Sequence, residues 1–496
     1  ALRYSIENHS GPHLVLNMAG TGSGKTRMNL RSVAVLTTNH QLRVATALNL
    51  RTLTLQTGDS YQQQLKIGAD ELACVVGDRV VKKLHTWQQK INNQQDIIID
   101  DDENVAQLDW ETLGGSFYNE APDWLQHFLK GNPSLIAVIG SPVLVSTIDF
   151  LIAAGEPHRQ AHHALAMLRV MTSDLILDEI DGYDPKGLVA VLRLVMMAAF
   201  WGRHVIASSA TLSRPVASAL WRAYAKGNEM RAQVRGEVGG FTTALIDDLV
   251  DPLVDRFTAK SFFMNAYEKQ IKKIQQALIG KRYRLPYLAK VEIDSQDEKT
   301  NSVNWYNTVR SAVVKLHKDN AWVDPVSSKR ISFGLIRVAN IKEAIPLARY
   351  LANKIPAARI VCYHSQLLTL QRFHIESTLD RLLNRKQGND NIIKDSEIRR
   401  IIKQSEKSAM TFIVVATPVE EIGRDHDFDW AIIEPSSVQS IVQTAGRVNR
   451  HRLHLMENEN IAILQFNRKT MARGLKKQAF FRPCLLYTSP SPRDQR

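Results

Sequence analysis

Ala19-Gly20-Thr21-Gly22-Ser23-Gly24-Lys25-Thr26 is the stretch on which the reading of this chain turns. Ahead of it, His13-Leu14-Val15-Leu16-Asn17-Met18 is an apolar run of strand length, and behind it Arg27 to Leu36 reads as helix. Strand, glycine-rich turn, Gly-Lys-Thr and helix make up the context of a phosphate-binding loop. Glycines at 20, 22 and 24 put no side chain between the backbone and a polyphosphate, so successive N–H groups converge on its oxygens. The helix start adds oriented donors and the positive end of its dipole. In such a loop Lys25 reaches the β/γ-phosphates and the Thr26 hydroxyl holds Mg²⁺. Position 19 is Ala where the general pattern has Gly, a change from one small residue to another. A nucleoside triphosphate ligand is therefore expected.

Composition sets the frame around this loop. A chain of 496 residues is too long for one compact core, so two or three domains are expected. Hydrophobic residues at 44% and charged ones at 23% are ordinary for a globular protein. Cys74, Cys362 and Cys484 lie far apart without metal-ligand spacing, which fits a reduced, cytoplasmic setting better than a disulfide framework. No apolar run reaches the roughly 18 residues of a membrane span. A net charge of +13 favours a polyanionic partner, although charge alone moves the odds only modestly.

A second decisive stretch is Asp174-Leu175-Ile176-Leu177-Asp178-Glu179. A hydrophobic strand ending in Asp-Glu is the Walker B arrangement. Asp178 holds Mg²⁺ there, and Glu179 orients or deprotonates the attacking water. Next comes Arg203 to Thr211, a strand closing in Ser-Ala-Thr, whose hydroxyls at Ser209 and Thr211 are expected between the Asp178 loop and a nucleic-acid side. Strands interleaved with helical stretches such as Leu188–Phe200 predict a parallel α/β sheet with its site at the strand ends.

Other segments read less sharply. Arg51 to Leu55 alternates like a strand and runs into a polar turn that would present Thr57 and Gly58 to a phosphate backbone. Leu135 to Gly140 reads as a buried strand stopped by Pro142, with Ser141 and Thr147 in similar roles. The acidic run Asp96–Glu103 reads as a solvated loop, Thr112–Pro122 as loop, and the His162-His163 pair as non-ligating. The basic run from Lys269 to Arg284 either tracks a phosphate backbone or is a solvated face. A second α/β unit begins with a strand at Ile331–Val338 and a helix at Ile341–Lys354. Strands at 359–363, 411–416 and 430–433 follow, with a polar, basic insertion between Asp380 and Lys407.

Taken in order, these motifs resemble those of superfamily 2 helicases, over roughly residues 12 to 466. The resemblance implies an α/β fold of two tandem RecA-like domains, parallel sheets flanked by helices, with a helical insertion between them. The corresponding ranges are 1–225 for the first domain, 226–325 for the insertion, 326–470 for the second domain and 471–496 for a disordered or non-native tail. Gln443-x-x-Gly446-Arg447-x-x-Arg450 resembles the family's sixth motif, which implies that Gln443 faces the nucleotide or neighbouring motifs. Arg447 and Arg450 would approach the γ-phosphate, where a guanidinium suits the charge spread over the phosphoryl oxygens. Thr417, Gly423 and Asp425 match the fifth motif, which links ATP to the bound strand.

Within that superfamily the wording of Leu50–Asp59, Ser141–Asp149 and Leu177–Tyr183 resembles the CRISPR-associated helicase–nuclease of type I systems, subtype I-F. This implies an ATP- and Mg²⁺-dependent motor that reels in single-stranded DNA 3′ to 5′. The partners it implies are an RNA-guided surveillance complex and the adaptation integrase. That family's HD nuclease set is not expected here, because only 18 residues precede Ala19. A superfamily 2 RNA helicase, a double-stranded DNA translocase, and a nucleotide-holding module without turnover remain open as alternatives.

Overall fold

The computed structural model describes residues 2–6, 11–37, 42–49, 51–68, 71–76, 111–113, 133–155, 163–183, 185–237, 239–293, 297–420 and 425–472. Two compact units divide the chain, Ala1–Ile279 and Gly280–Arg496.

In the first unit the strands are β1 (His13–Asn17), β2 (Val44–Leu48), β3 (Leu72–Val76), β4 (Glu111–Leu113), β5 (Val143–Thr147), β6 (Asp174–Asp178), β7 (Val205–Ser208), β8 (Thr242–Ile246) and β9 (Leu253–Asp255). They form one sheet in the order β4-β3-β5-β2-β6-β7-β1-β8-β9. Only the outermost strands, β4 and β9, run antiparallel to their neighbours. The inner strands are near-continuous apolar runs buried along their whole length, as a parallel sheet covered on both faces requires. Separate apolar clusters fill the two faces, one built around Leu14, Leu16 and Leu194 and the other around Val15, Leu30 and Ile176.

Register does the positioning. Asn17 at the end of β1 pairs with Ser208 at the end of β7, and Ser208 pairs with Asp178 at the end of β6. Three polar residues from distant parts of the sequence thus stand on adjacent strands at the carboxyl edge of the sheet, where ligands of open α/β sheets bind.

Helices α1 (Lys25–Leu36), α2 (Arg51–Leu65), α3 (Pro133–Gly140), α4 (His163–Thr172), α5 (Pro185–Phe200), α6 (Arg214–Arg235) and α7 (Lys260–Leu278) belong to this unit. Two of them replace expected strands. Arg51–Leu55 opens α2, whose buried positions Thr54, Thr57, Gly58 and Tyr61 follow helical spacing. Five alternating residues were too short a window to separate that period from two. Leu135–Gly140 lies in α3, and the strand is the next segment, Val143–Thr147. A fully apolar run carries no periodicity, so only Pro133 at the first helical turn distinguished the two. The carboxyl end of α3 is held by the buried Arg169 of α4. Its guanidinium donates to the carbonyls of Ser141 at 2.5 Å and Val138 at 3.2 Å, and also to Val44 at 2.6 Å and Pro142 at 3.0 Å.

The second unit carries β10 (Pro286–Ala289), β11 (Trp322–Val323), β12 (Arg330–Arg337), β13 (Ala358–Tyr363), β14 (Ala409–Ala416), β15 (Trp430–Ile433) and β16 (Ile461–Leu464). The order is β10-β16-β15-β12-β14-β13, all parallel, with β11 pairing antiparallel to β12. Helices α8 (Glu298–Asn320), α9 (Ile341–Lys354), α10 (Thr369–Leu383) and α11 (Val438–Ala445) flank it.

Residues 226–325, expected as an insertion, are not a separate body. They supply β8, β9 and α7 to the first unit and β10, α8 and β11 to the second. Their short strands lie at or near sheet edges, where alternation is weakest as a signal. The expected polar insertion at 380–407 is largely helical, and Ile398 and Ile402 turn one face of its helix Ser396–Gln404 into the core. The expectations for Asp96–Glu103, His162, Gly423, 473–496 and most of Thr112–Pro122 lie outside the described residues, although Thr112 itself falls in β4.

Candidate nucleotide site

The P-loop is a turn between β1 and α1. Gly22 and Gly24 have φ of 85° and 83°, a left-handed conformation that a side chain resists. Ala19 is fully buried, so the small residue at that position is a packing requirement. Ser23 closes the turn by donating its hydroxyl to the Gly20 carbonyl at 2.8 Å, and the Gly20 N–H donates to Asp248 at 2.8 Å. Thr21 and Thr26 are half-buried, Thr26 in the first turn of α1. The Lys25 ammonium reaches back over the turn, 3.5 Å from the Gly20 carbonyl and 4.0 Å from Glu179 Oε1.

Glu179 has φ of 53°, a strained conformation for a residue with a side chain. Such strain costs roughly 1–3 kcal/mol and clusters at functional sites. The turn separates the two carboxylates. Glu179 faces Lys25, whereas Asp178 is buried and accepts from Ser208 Oγ at 2.5 Å and from the Glu179 N–H at 3.1 Å.

Four bonds behind Asp178 join it to the loop entry. The Ala19 N–H donates to Asn17 Oδ1 at 3.1 Å, and Asn17 Nδ2 donates to Asn29 Oδ1 at 2.8 Å. Asn29 Nδ2 then donates to Ser208 Oγ at 2.8 Å, and Ser208 to Asp178. Asn17, Asn29 and Ser208 were not singled out from the sequence. The available signal was a polar residue at an inward position of an apolar strand, and another one helical turn beyond Lys25.

Of the hydroxyls expected to carry coupling, those of Thr57, Ser141, Thr147 and Ser209 belong to buried residues of the first unit. Ser209 is buried, and its N–H donates to Asn17 O at 3.0 Å. Its hydroxyl takes the Thr211 N–H at 3.0 Å, so it is Ser208 that meets Asp178. Thr57 and Gly58 are buried within α2, and a Cβ on Gly58 would lie 2.5 Å from Cys74 Sγ. Ser141 precedes β5 and Thr147 ends it, which separates the two by roughly 20 Å at opposite edges of the sheet. Both are buried, so neither forms part of an exposed phosphate-binding surface.

In the second unit, the fifth and sixth motifs meet. Thr417, at the end of β14, donates its N–H to Tyr363 O at 3.1 Å. Gln443 and Thr444 on α11 are buried, and so is Arg447 just beyond it. Asp425 binds His451 Nε2 at 2.9 Å, Lys386 at 2.6 Å and Arg450 Nε at 3.2 Å. Burial alone would raise the Asp425 pKa, but the His451 bond and the Arg450 charge hold it far below the usual carboxylate range. Asp427 is fully buried and receives the backbone N–H groups of Arg450 and His451 at 3.0 and 3.1 Å, as well as the Arg452 guanidinium. Arg284, at the end of the basic run, is held in the second unit and does not lie on a fully solvated face. It is partly buried and donates to Val448 O at 2.9 Å, bracing the turn between Arg447 and Arg450.

Hard oxygen donors at Thr26 and Asp178 suit Mg²⁺, which keeps several waters and takes one or two carboxylates with phosphate oxygens. Among the described residues no group of three or more His, Cys, Asp or Glu is placed to hold a metal, and no helix is long and apolar enough to cross a membrane.

Two parallel sheets flanked by helices, the first carrying a P-loop beside an Asp-Glu strand end, make a fold of two RecA-like units. Known proteins agree with this. Residues 330–453 match the family described as CRISPR-associated nuclease/helicase Cas3, C-terminal. The chain is 34% identical over 508 residues to the CRISPR-associated nuclease/helicase Cas3 subtype I-F/YPEST of Pectobacterium atrosepticum, covering 97% of this chain and 45% of that protein. The corresponding Pseudomonas aeruginosa protein is also 34% identical, covering 94% and 44%. The chain thus spans a little under half the length of the curated relatives it matches. Among solved structures, T. fusca Cas3 with AMPPNP aligns with a TM-score of 0.59 at 18% identity, covering 99% of this chain and 48% of that one. The Cas3-ATP structure from the same source gives 0.56 at 18% identity, with the same coverage. The resemblance to the subtype I-F helicase–nuclease is borne out.

Proposed function

We propose that this chain is an ATP-driven motor that translocates 3′ to 5′ along single-stranded DNA, recruited by an RNA-guided surveillance complex in the cytoplasm. The observation that carries the ATPase part of this reading is the Lys25–Glu179 approach of 4.0 Å with Asp178 turned away beside it, while strand type and direction follow from the motif resemblance. One cation and two differently aimed carboxylates are what nucleotide hydrolysis needs at a P-loop. The curated relatives named CRISPR-associated nuclease/helicase Cas3 support this setting, and the motif resemblance adds the adaptation integrase as a further proposed partner.

In this reading ATP lies along the turn from Ala19 to Thr26. Backbone N–H groups of Gly22 to Thr26 bind its phosphates, and Lys25 exchanges its Gly20 and Glu179 contacts for the β/γ oxygens. Thr26 and Asp178 would hold Mg²⁺, which would supply charge neutralisation for the phosphates. Glu179 orients the attacking water and takes its proton. Arg447 and Arg450 stabilise the charge that develops on the transferred phosphoryl group, with Gln443 beside them. Thr417, Gly423 and Asp425 carry the coupling to the bound strand. Phosphate contacts dominate strand binding, so affinity depends little on sequence and strongly on salt.

ATP hydrolysis measured with and without single-stranded DNA, beside Lys25→Ala, tests the proposal. DNA-stimulated turnover that the variant loses is the expected result. Stimulation by RNA or by duplex DNA alone would reassign the substrate, and nucleotide binding without turnover in folded protein would overturn the motor reading.

A further inference from the structure

Two asparagines inside the first unit have no role in the reading above, yet their placement is costly. Asn17 is fully buried and Asn29 is 1% exposed. An amide in an apolar interior costs a few kcal/mol unless each polar group is paired. Here the pairing forms a single directed series. The Ala19 N–H donates to Asn17, Asn17 to Asn29, Asn29 to Ser208, and Ser208 to the Asp178 carboxylate. Every member gives a proton to the next, and the series ends on an anion, the strongest acceptor available. In a low-dielectric interior such a series is mutually polarised, so its members act together.

The elements it joins are the ones nucleotide binding has to coordinate. Asn17 closes β1 and its side chain fixes the first turn of the P-loop through Ala19. Asn29 sits on α1, one helical turn beyond Lys25. Ser208 ends β7, between β1 and β6, at the register position shared by Asn17 and Asp178. Among the described residues both bonds to Asp178 end on Oδ1, which leaves Oδ2 as the oxygen for a metal or its water.

We infer that Asn29 and Ser208 are positioning residues that lock the rotamer of the Asp178 carboxylate and tie it, through Asn17, to the entry of the P-loop. The inference rests on the nucleotide reading of this site. Its consequence is that the readiness of Asp178 for Mg²⁺ depends on residues anchored beneath the P-loop. Partners that orient a metal ligand from behind are typically worth 10–100-fold in metal affinity or activity.

The test is a titration of Mg²⁺ against the full chain with a fluorescent ribose-labelled ATP analogue, read as nucleotide binding and not as turnover. Wild type is expected to bind the analogue more tightly as Mg²⁺ rises. In Asn29→Ala and Ser208→Ala, binding in excess chelator should stay within about twofold, while the Mg²⁺ midpoint rises about tenfold. Ser208→Thr and Ser208→Val give the decisive pair. They share a β-branched shape suited to a strand and differ in the hydroxyl, so Thr should restore the midpoint and Val should not. Folded variants with the wild-type midpoint, or Thr and Val behaving alike, would overturn the inference while leaving the nucleotide site intact. A wild-type chain that binds no analogue at any Mg²⁺ concentration would overturn both readings.

Discussion

The Asp427 carboxylate accepts the backbone N–H of Arg450 at 3.0 Å, so the segment just after the fifth motif holds the sixth by its main chain, in addition to the Asp425–Arg450 side-chain pair. The same carboxylate takes the His451 N–H and two nitrogens of Arg452, at 3.0 and 2.8 Å, and Arg452 forks on to Asp429 at 2.6 Å. Burial pushes the Asp427 pKa up, but the bonded Arg452 and the Arg385 charge bring it below the ordinary value.

Asp427→Asn keeps the shape and removes the charge that faces Arg452. Breaking a buried pair from one side costs about 3–5 kcal/mol, so denaturant unfolding of the second unit should fall by that order. The amide keeps one accepting oxygen, so one of the two backbone N–H groups, of Arg450 or His451, loses its acceptor and the turn is held less firmly. Turnover should drop on the order of 100-fold while nucleotide affinity stays nearly unchanged, which steady-state kinetics and equilibrium binding would separate.

His426 supplies a pH dependence. Its ring is fully buried, with Nδ1 2.5 Å from Glu420 and Nε2 2.8 Å from Asp380. Burial lowers the imidazolium pKa, but the Glu420 charge and the two carboxylate bonds outweigh it and leave the value above 6.5. A histidine with a raised folded pKa contributes stability that is fully present below pH 6.5 and is lost as pH climbs through the raised value. The unfolding midpoint of the second unit should therefore fall as pH rises from 6 to 9. In His426→Gln that slope should flatten, and an unchanged slope would assign the dependence to other groups.

Gly58 reports on packing, not on phosphate contact. An added Cβ would lie 2.5 Å from Cys74 Sγ, where α2 crosses β3. Gly58→Ala should destabilise the first unit by about 1–3 kcal/mol despite alanine's better helix propensity. Combining it with Cys74→Ala should recover much of the loss. A nucleic-acid contact at Gly58 would instead show in DNA affinity, which should not change.

Arg169 has four carbonyl partners, and burial together with the Arg43 charge lowers its pKa. Arg169→Met leaves those carbonyls without their donor. A loss of about 3 kcal/mol or more in the first unit is expected. Arg169→Lys should rescue little, because one ammonium cannot span carbonyls that a planar fork reaches. Thermal unfolding of the three proteins would decide.

Where a chemical task fixes residue identity and spacing together, the sequence was readable. The P-loop and the Asp178-Glu179 strand end were found because turn, helix and strand must follow within a few residues of one another. Local pattern failed where burial erased it. The apolar run Leu135–Gly140 is helix and Arg51–Leu55 is helix, because a uniformly apolar segment shows no period, and a five-residue window is too short to reveal one. Ser141 and Thr147 were read in similar roles, and the position of β5 places them at opposite ends of a strand.

The sequence by itself determined a nucleotide loop, its carboxylate partners, two α/β units and the motif order of a helicase motor. Each is a local or ordered property that survives without coordinates. Only the tertiary structure decided which serine meets Asp178, that Asn17 and Asn29 join the loop to it, and that Asp427 and Arg284 brace the turn bearing Arg450. Those contacts join residues 12 to 179 positions apart, and they exist because parallel-strand register and helix docking bring remote side chains to one edge. Register is set by the whole sheet at once, so no short stretch of sequence encodes it.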